Sequence, residues 1–168
     1  MATSTKGMER LMGIITATRY HDFCAGHTVN GHESKCAHLH GHNYRVYFTV
    51  TADDSQEAPH PVLGLDALGR VIDFSVIKER LCYWLEANWD HKFLIWAEDP
   101  RAVPLTLLDT PSMVLTPFNP TAENMAKYLV EHIGPAELIG LGVSLISVTI
   151  EETRKCSAEY KLGSKNDR

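Results

Sequence analysis

The sequence has no run of basic residues, no long apolar stretch and little cysteine. Its formal net charge is −5 with histidines neutral, so the electrostatic footprint of a general nucleic-acid binder is missing. An anionic substrate must then be held by local cations or by a metal. No stretch approaches the roughly 18 consecutive apolar residues of a membrane-crossing helix. Met1 to Arg10 has no apolar segment of signal-peptide length. These absences set the expectation of a cytoplasmic protein with neither nucleic acid nor membrane as partner. Four cysteines (Cys24, Cys36, Cys82 and Cys156) are too few and too scattered for a disulfide framework. They are left as ligands, nucleophiles or core residues. Internal repeats and low-complexity tracts are also missing.

What is present fits one domain over residues 1–168, with a core from about 14 to 162, because domains commonly hold ~100–200 residues. At 44% hydrophobic and 22% charged residues, the composition requires a packed core. The anomaly is histidine: nine in all, five of them between His27 and His42.

Residues 14–23 are rich in β-branched and aromatic residues and read as a strand, followed by a polar, glycine-containing loop through Lys35. From His40 the chain alternates, with His40, His42, Tyr44, Val46, Phe48 and Val50 on one face of a second strand. After a turn-rich stretch from Asp53 to Gly69, Val71 and Ile72 form a short strand. Asp73 caps a helix with apolar Phe74, Ile77, Leu81, Trp84 and Leu85. Lys92 to Asn119 shows no period and reads as an irregular insertion, a lid or interface element. Thr121 caps a second helix with Glu123 in its first turn, ending at Gly134-Pro135. Val143 to Glu152 reads as a strand with Ile146, Val148 and Ile150 on one face, and Ser157 to Leu162 extends a final hairpin. The expected class is α+β, with helices on one face of an antiparallel sheet.

His40-Gly41-His42 on a strand projects two imidazoles to the same face, and the intervening glycine permits close backbone approach on the other. His27, returning from the far end of the preceding loop, supplies a third ligand. Three histidines with an open fourth position suit catalytic Zn²⁺, whereas magnesium and calcium prefer oxygen. A rival grouping, Cys24-x₂-His27 with Cys36-x₃-His40, has the spacing of a four-ligand structural zinc site and makes the chain a binding module. It leaves His42 unexplained and uses Cys24, which can pack as a small apolar residue. Cys36, beside Lys35 and four residues before His40, has an electropositive setting that favours a thiolate base or nucleophile. His38 is close by, while Cys82 and Cys156 read as structural. Asp90-His91 places a carboxylate next to an imidazole whose tautomer it can hold. Glu152 shares the apolar parity of its strand and needs a hydrogen-bonding partner, while Glu151 points to solvent.

Phe23-Cys-Ala-Gly-His27, Cys36-x₃-His40-Gly-His42-Asn-Tyr44, Ile72-Asp73-Phe74, Trp89-Asp90-His91-Lys92, Asn119-Pro-Thr-Ala-Glu-Asn124 and Glu152-Thr153 occur in one order. In that order the chain resembles the 6-pyruvoyltetrahydropterin synthase and 6-carboxytetrahydropterin synthase family from about Ile14 to Leu162. The resemblance implies a tunnelling fold: a four-stranded antiparallel sheet with two helices on one face, assembling into a barrel as trimers and then a homohexamer. It implies zinc on His27, His40 and His42, Cys36 as proton acceptor, Asp90 and His91 as a relay pair reaching Cys36 from a neighbouring subunit, and Glu152 anchoring the pterin. Thr121 and Glu123 are implied near the pterin pocket. The Cys-x₃-His-Gly-His spacing looks like the 6-carboxytetrahydropterin synthases of the queuosine (7-deazaguanine) pathway, since the pyruvoyl synthases carry a longer gap. The implied substrate is 7,8-dihydroneopterin triphosphate, cleaved to 6-carboxytetrahydropterin, acetaldehyde and triphosphate. A pyruvoyl synthase or aldolase-type activity is the alternative. Lys35 and Arg45 are candidates for holding the triphosphate. The departures from the family pattern are the segment Lys92–Asn119 and the residues Cys24 and Gly26.

Overall fold

The computed structural model describes residues 13–53 and 64–163. Met1 to Arg10 and much of the turn-rich stretch after Asp53 lie outside the described residues. The long strand β1 (Thr16–His27) turns through residues 28–39 into β2 (His40–Ala52). Helix α1 comprises Phe74–Ile77, a π turn Lys78–Cys82 and Tyr83–Asn88. Then come β3 (Lys92–Trp96), α2 (Ala102–Leu108) and β4 (Met113–Thr116). Helix α3 comprises Ala122–Tyr128, a π turn Leu129–Ile133 and Gly134–Glu137. A final hairpin pairs β5 (Val143–Thr153) with β6 (Cys156–Lys161).

Among the described residues the sheet has six strands in the order β4-β3-β1-β2-β5-β6, not four. Strands β1, β2, β5 and β6 are antiparallel neighbours, whereas β3 joins β1 and β4 joins β3 in parallel. The added strands come from residues 92–119, which the aperiodic sequence suggested were irregular. Parallel pairing is non-local, so the five residues of β3 and four of β4 leave little trace in the local pattern. Val71 and Ile72 form a bend rather than a strand.

Alternation decides which sheet face is dry. Tyr44, Val46, Phe48 and Val50 of β2 are buried with Phe23 and Ala25 of β1. Against them lie Ile77, Leu81, Leu85 and Trp89 from α1, with Met125, Leu129 and Ile133 from α3. Burying each large side chain contributes about 1.5–3 kcal/mol. Asp73 caps α1 by accepting the Ser75 N–H at 2.8 Å, and Thr121 caps α3 by accepting from Asn124 N–H at 3.3 Å. The outer face carries Asp22 and Arg45, joined by two bonds of 2.6 and 2.8 Å, and Thr18 bonded to Thr49 at 2.9 Å. Tyr47 donates to Glu151 at 3.0 Å on the same face.

Two local readings are corrected. On β5 the buried apolar set is Val143, Leu145, Val148 and Ile150, with Ile146 half-buried, because a bulge shifts the register where Thr49 pairs Ser147 and Val50 pairs Leu145. Gly134-Pro135 does not stop α3, which widens into a π turn and continues to Glu137. Gly134 is there for packing: a Cβ would lie 2.7 Å from the Cβ of Leu145. Among the described residues no helix is long and apolar enough to cross a membrane. Gly134→Ala should destabilise the fold by about 1–3 kcal/mol through overpacking, read as a lower urea midpoint at unchanged slope. A midpoint equal to that of the unaltered protein would show that α3 moves freely away from β5.

Candidate active site

His27 is the last residue of β1, not part of a loop, and it pairs directly with His40, the first residue of β2. Ala25 pairs with His42 and Gly26 with Gly41. A Cβ on Gly41 would lie 2.9 Å from the Ala25 carbonyl oxygen, and one on Gly26 would lie 2.4 Å from the Phe93 ring. Both glycines therefore permit close packing at the end of the hairpin. The two strand ends bring three imidazoles together, with ring centroids 4.4, 4.9 and 5.2 Å apart. One ligand atom from each of His27, His40 and His42 lies within 4.8 Å of the others.

Each ring is tied from behind or left open in front. The Nδ1 atoms of His27 and His40 lie 2.7 Å from the Pro120 carbonyl and 2.8 Å from the His38 carbonyl. Those bonds make Nδ1 the donor and leave a lone pair on Nε2, the arrangement in which histidine binds metal. The Nε2 atoms of His27 and His42 are buried without a hydrogen-bond partner. Such orphaned acceptors cost stability unless something fills the space between them. Burial also pushes the pKa of His27 and His42 down, which favours the neutral rings. Glu152 Oε1 stands 3.4 Å from His27 Nε2 and 3.6 Å from His42 Nε2. Its position follows from an irregularity in the β5–β6 pairing between Glu151 and Thr153. Three convergent nitrogens and a nearby carboxylate are a donor set that fits a divalent cation of the zinc type.

Cys24 is on the other face. It is exposed, with Sγ 3.2 Å from Asn43 Oδ1, so it does not pack as a core residue and does not share a site with His27. The only metal-competent group among the described residues is the histidine triad, and Cys36 is outside it. The described residues thus bring the three histidines together and not the four-ligand grouping.

Cys36 sits in a 3-10 turn, Lys35–Ala37, and lines a cavity of about 300 Å³ with His27, Thr121, Glu123 and Glu152. Asp90 and His91 meet as side chains, His91 Nδ1 lying 2.8 Å from Asp90 Oδ2. Asp90 Oδ1 also accepts the Cys24 N–H at 2.8 Å. Burial alone would raise the Asp90 pKa, and the bonds from Cys24 and His91 reverse this to a net lowering. His91 is held at φ 56, in the left-handed region, by its N–H bond to the Cys24 carbonyl at 2.7 Å. Its side chain is 81% exposed. The pair opens onto a groove of about 1220 Å³ that also touches His42 and Glu152, but not Cys36. Within one chain, Cys36 and His91 thus face different spaces. Arg45 is paired with Asp22 and stacks over Tyr20 at 4.5 Å on the outer face, so its charge is already matched.

Tyr44 completes the cluster and carried no role in the sequence reading. It is buried against His42 and His27, with ring centroids 5.4 and 5.9 Å away, and its hydroxyl has no partner. Burial first, then the nearby Glu152, pushes the pKa of the phenol up. Its parity with His40 and His42 was the available signal.

Residues 16–162 match the family model described as 6-pyruvoyl tetrahydropterin synthase. A 6-carboxy-5,6,7,8-tetrahydropterin synthase of Rickettsia typhi is 34% identical over 147 residues, covering 87% of this chain and 99% of that protein. One from Aquifex aeolicus is 33% identical over 136 residues, covering 76% of each. Among solved structures, an uncharacterized protein from Wolinella succinogenes superposes with a TM-score of 0.73 at 24% identity, covering 89% of this chain and 99% of that one. The 6-pyruvoyl tetrahydropterin synthase of Caenorhabditis elegans superposes at 0.56 with 23% identity, over 90% and 98%. With the histidine triad closing its central hairpin and the family match running across all three helices and all six strands of the described residues, this chain belongs to the 6-pyruvoyl tetrahydropterin synthase family.

Proposed function

We propose that the chain is a zinc-dependent carbon–carbon lyase that converts 7,8-dihydroneopterin triphosphate and one water to 6-carboxy-5,6,7,8-tetrahydropterin, acetaldehyde and triphosphate. The observation that carries the metal site is the pair of buried, unpartnered Nε2 atoms on His27 and His42. The names of the relatives support the pterin chemistry and favour the carboxy product over the pyruvoyl product. The queuosine pathway is the proposed destination of that product.

His27, His40 and His42 hold the zinc, which when bound supplies Lewis acidity toward the substrate side-chain hydroxyls and lowers their pKa. Cys36, in the same cavity as His27, takes a proton from the substrate side chain. Glu152 accepts hydrogen bonds from the pterin amino group and ring nitrogen, and its carboxylate compensates the cationic centre beside it. Thr121 and Glu123 line the pterin end of that cavity. His91, oriented by Asp90, returns protons.

His91 is exposed and lines a different cavity from Cys36, so the relay pair of one chain serves the thiol of another. This supports a homohexamer built as a dimer of trimers. The sheet gives a physical reason: among the described residues β4 and β6 are its edge strands, and the core formed with α1 and α3 lies on one of its faces.

Incubating the purified protein with 7,8-dihydroneopterin triphosphate and weighing the pterin product tests the reaction. 6-Carboxytetrahydropterin with acetaldehyde is expected. A pyruvoyl product would establish the alternative activity, and no turnover by zinc-loaded protein would overturn both.

His40→Ala should lose its zinc by elemental analysis while Cys24→Ser keeps it; zinc loss in Cys24→Ser would contradict the triad. Cys36→Ala should retain zinc and fold but lose about 10²–10⁴-fold in rate, and activity within a few fold would remove Cys36 from proton transfer. Inactive Cys36→Ala and inactive His91→Ala chains, unfolded and refolded together, should regain part of the activity. A monomeric elution profile for active enzyme would refute assembly, and a hexamer without complementation would confine the site to one chain.

A further inference from the structure

We propose that Arg101 is a positioning residue for the reaction: braced by Asp99, it clamps the loop that presents Cys36 to the histidine cluster. The inference rests on the reading of Cys36 as the proton acceptor.

Cys36 is the middle residue of a three-residue 3-10 turn in the connection from β1 to β2, and that turn buries none of its own residues. Its internal hydrogen bonds are two, Ala37 N–H to Ser34 and His38 N–H to Lys35, each 3.0 Å. A turn this short has little stability of its own. The place of the thiol is therefore set by what holds the turn from outside. Val29 N–H donates to the Cys36 carbonyl at 2.9 Å. The next carbonyl, that of Ala37, accepts from Thr28 Oγ1 at 3.0 Å and from Arg101 Nη1 at 2.8 Å. Arg101 Nη2 donates to Thr28 Oγ1 at 3.0 Å, closing a ring between β1's end, the Cys36 turn and the insertion.

The guanidinium is itself immobilised. Its Nε and Nη2 donate to Asp99 Oδ1 and Oδ2 at 2.9 and 2.7 Å, and the Asp99 side chain is 1% exposed. Asp99 Oδ1 also accepts the Arg101 N–H at 2.8 Å. Asp99 N–H donates to the Trp96 carbonyl at 2.9 Å, which ties the pair to the end of β3. The chain of contacts thus runs from a strand of the sheet through a bidentate ion pair to the carbonyl next to Cys36. Only an arginine meets these demands: its planar fork binds both carboxylate oxygens and still offers donors to Ala37 and Thr28, whereas a lysine ammonium is a point charge. This gives the 92–119 insertion a task at the site without placing any of its side chains on substrate.

The test uses zinc-loaded enzyme. For Arg101→Ala, kcat should fall roughly ten- to hundredfold, the value of a charged hydrogen bond held in the productive arrangement, with KM within about threefold. Zinc content should not change. Guanidinium chloride in the tens of millimolar should restore part of the lost kcat, because it refills the vacated fork site. Alkylation of Cys36 by iodoacetamide, followed by peptide mass, should accelerate in Arg101→Ala and slow again with guanidinium. Arg101→Lys keeps the charge but not the fork and should lose kcat to a similar extent; it carries the same zinc and alkylation readouts if the alanine variant does not fold. Unchanged kcat in Arg101→Ala, full activity in Arg101→Lys, loss of zinc, or a deficit that guanidinium does not relieve would each overturn the clamp. Cys36→Ala is assayed alongside. If it is active, the reading of Cys36 fails; if it is inactive while Arg101→Ala is fully active, the clamp alone fails.

Discussion

The pairing of His27 with His40 across the central hairpin is the constraint on which the site depends. It joins the last residue of one strand to the first of the next, so three imidazoles meet where the sheet ends. The same register sends Tyr44, Val46, Phe48 and Val50 into the core. A slip of one residue would turn the whole set outward, histidines and hydrophobic core together. Core packing and the meeting of the three histidines therefore select the same register, and the energy of burying the strand also fixes the proposed metal site. The glycine pair beside the ligands allows this closeness, since Cβ atoms at Gly26 and Gly41 would collide with Phe93 and with the backbone of Ala25.

Outside that hairpin, contacts remote in sequence orient the groups. The Pro120 carbonyl, at the entry to α3, fixes the His27 ring, and Asn119 holds Asn30 through two bonds of 2.8 and 2.9 Å. The Asn-Pro-Thr segment thus joins the β1–β2 connection to α3. The Asp90–His91 pair is held at the opposite side through the backbone of Cys24. One strand end therefore locates both halves of the proposed proton machinery, and the two halves look into different spaces.

How much of this was legible depends on how local the signal is. The parity of β2, with His40 and His42 on the face of Tyr44 and Val46, was readable because a period of two is written in the strand itself. The caps Asp73 and Thr121 were readable for the same reason. His27 was misplaced into a loop because Cys24-Ala25-Gly26 has the small, flexible composition of a turn, while the true reason for Gly26 is the ring of Phe93, 67 residues away. β3 and β4 were hidden because parallel strands are stabilised by partners elsewhere in the chain, and the prolines around them dominate the local pattern. The bulge at Ile146 depends on pairing with β2, so strict alternation misassigned that side chain. Asp90 and His91 were recognisable as neighbours, but that their side chains meet, and that they line a different cavity from Cys36, needed coordinates.

The central claim is that three histidine nitrogens, and no sulfur, bind the metal. X-ray absorption at the zinc edge of the loaded protein tests it directly. The account predicts a shell of nitrogen and oxygen scatterers at about 2.0–2.1 Å, with the multiple-scattering pattern of three imidazoles and one light ligand. A sulfur scatterer at about 2.3 Å would place Cys36 or Cys24 on the metal and contradict it.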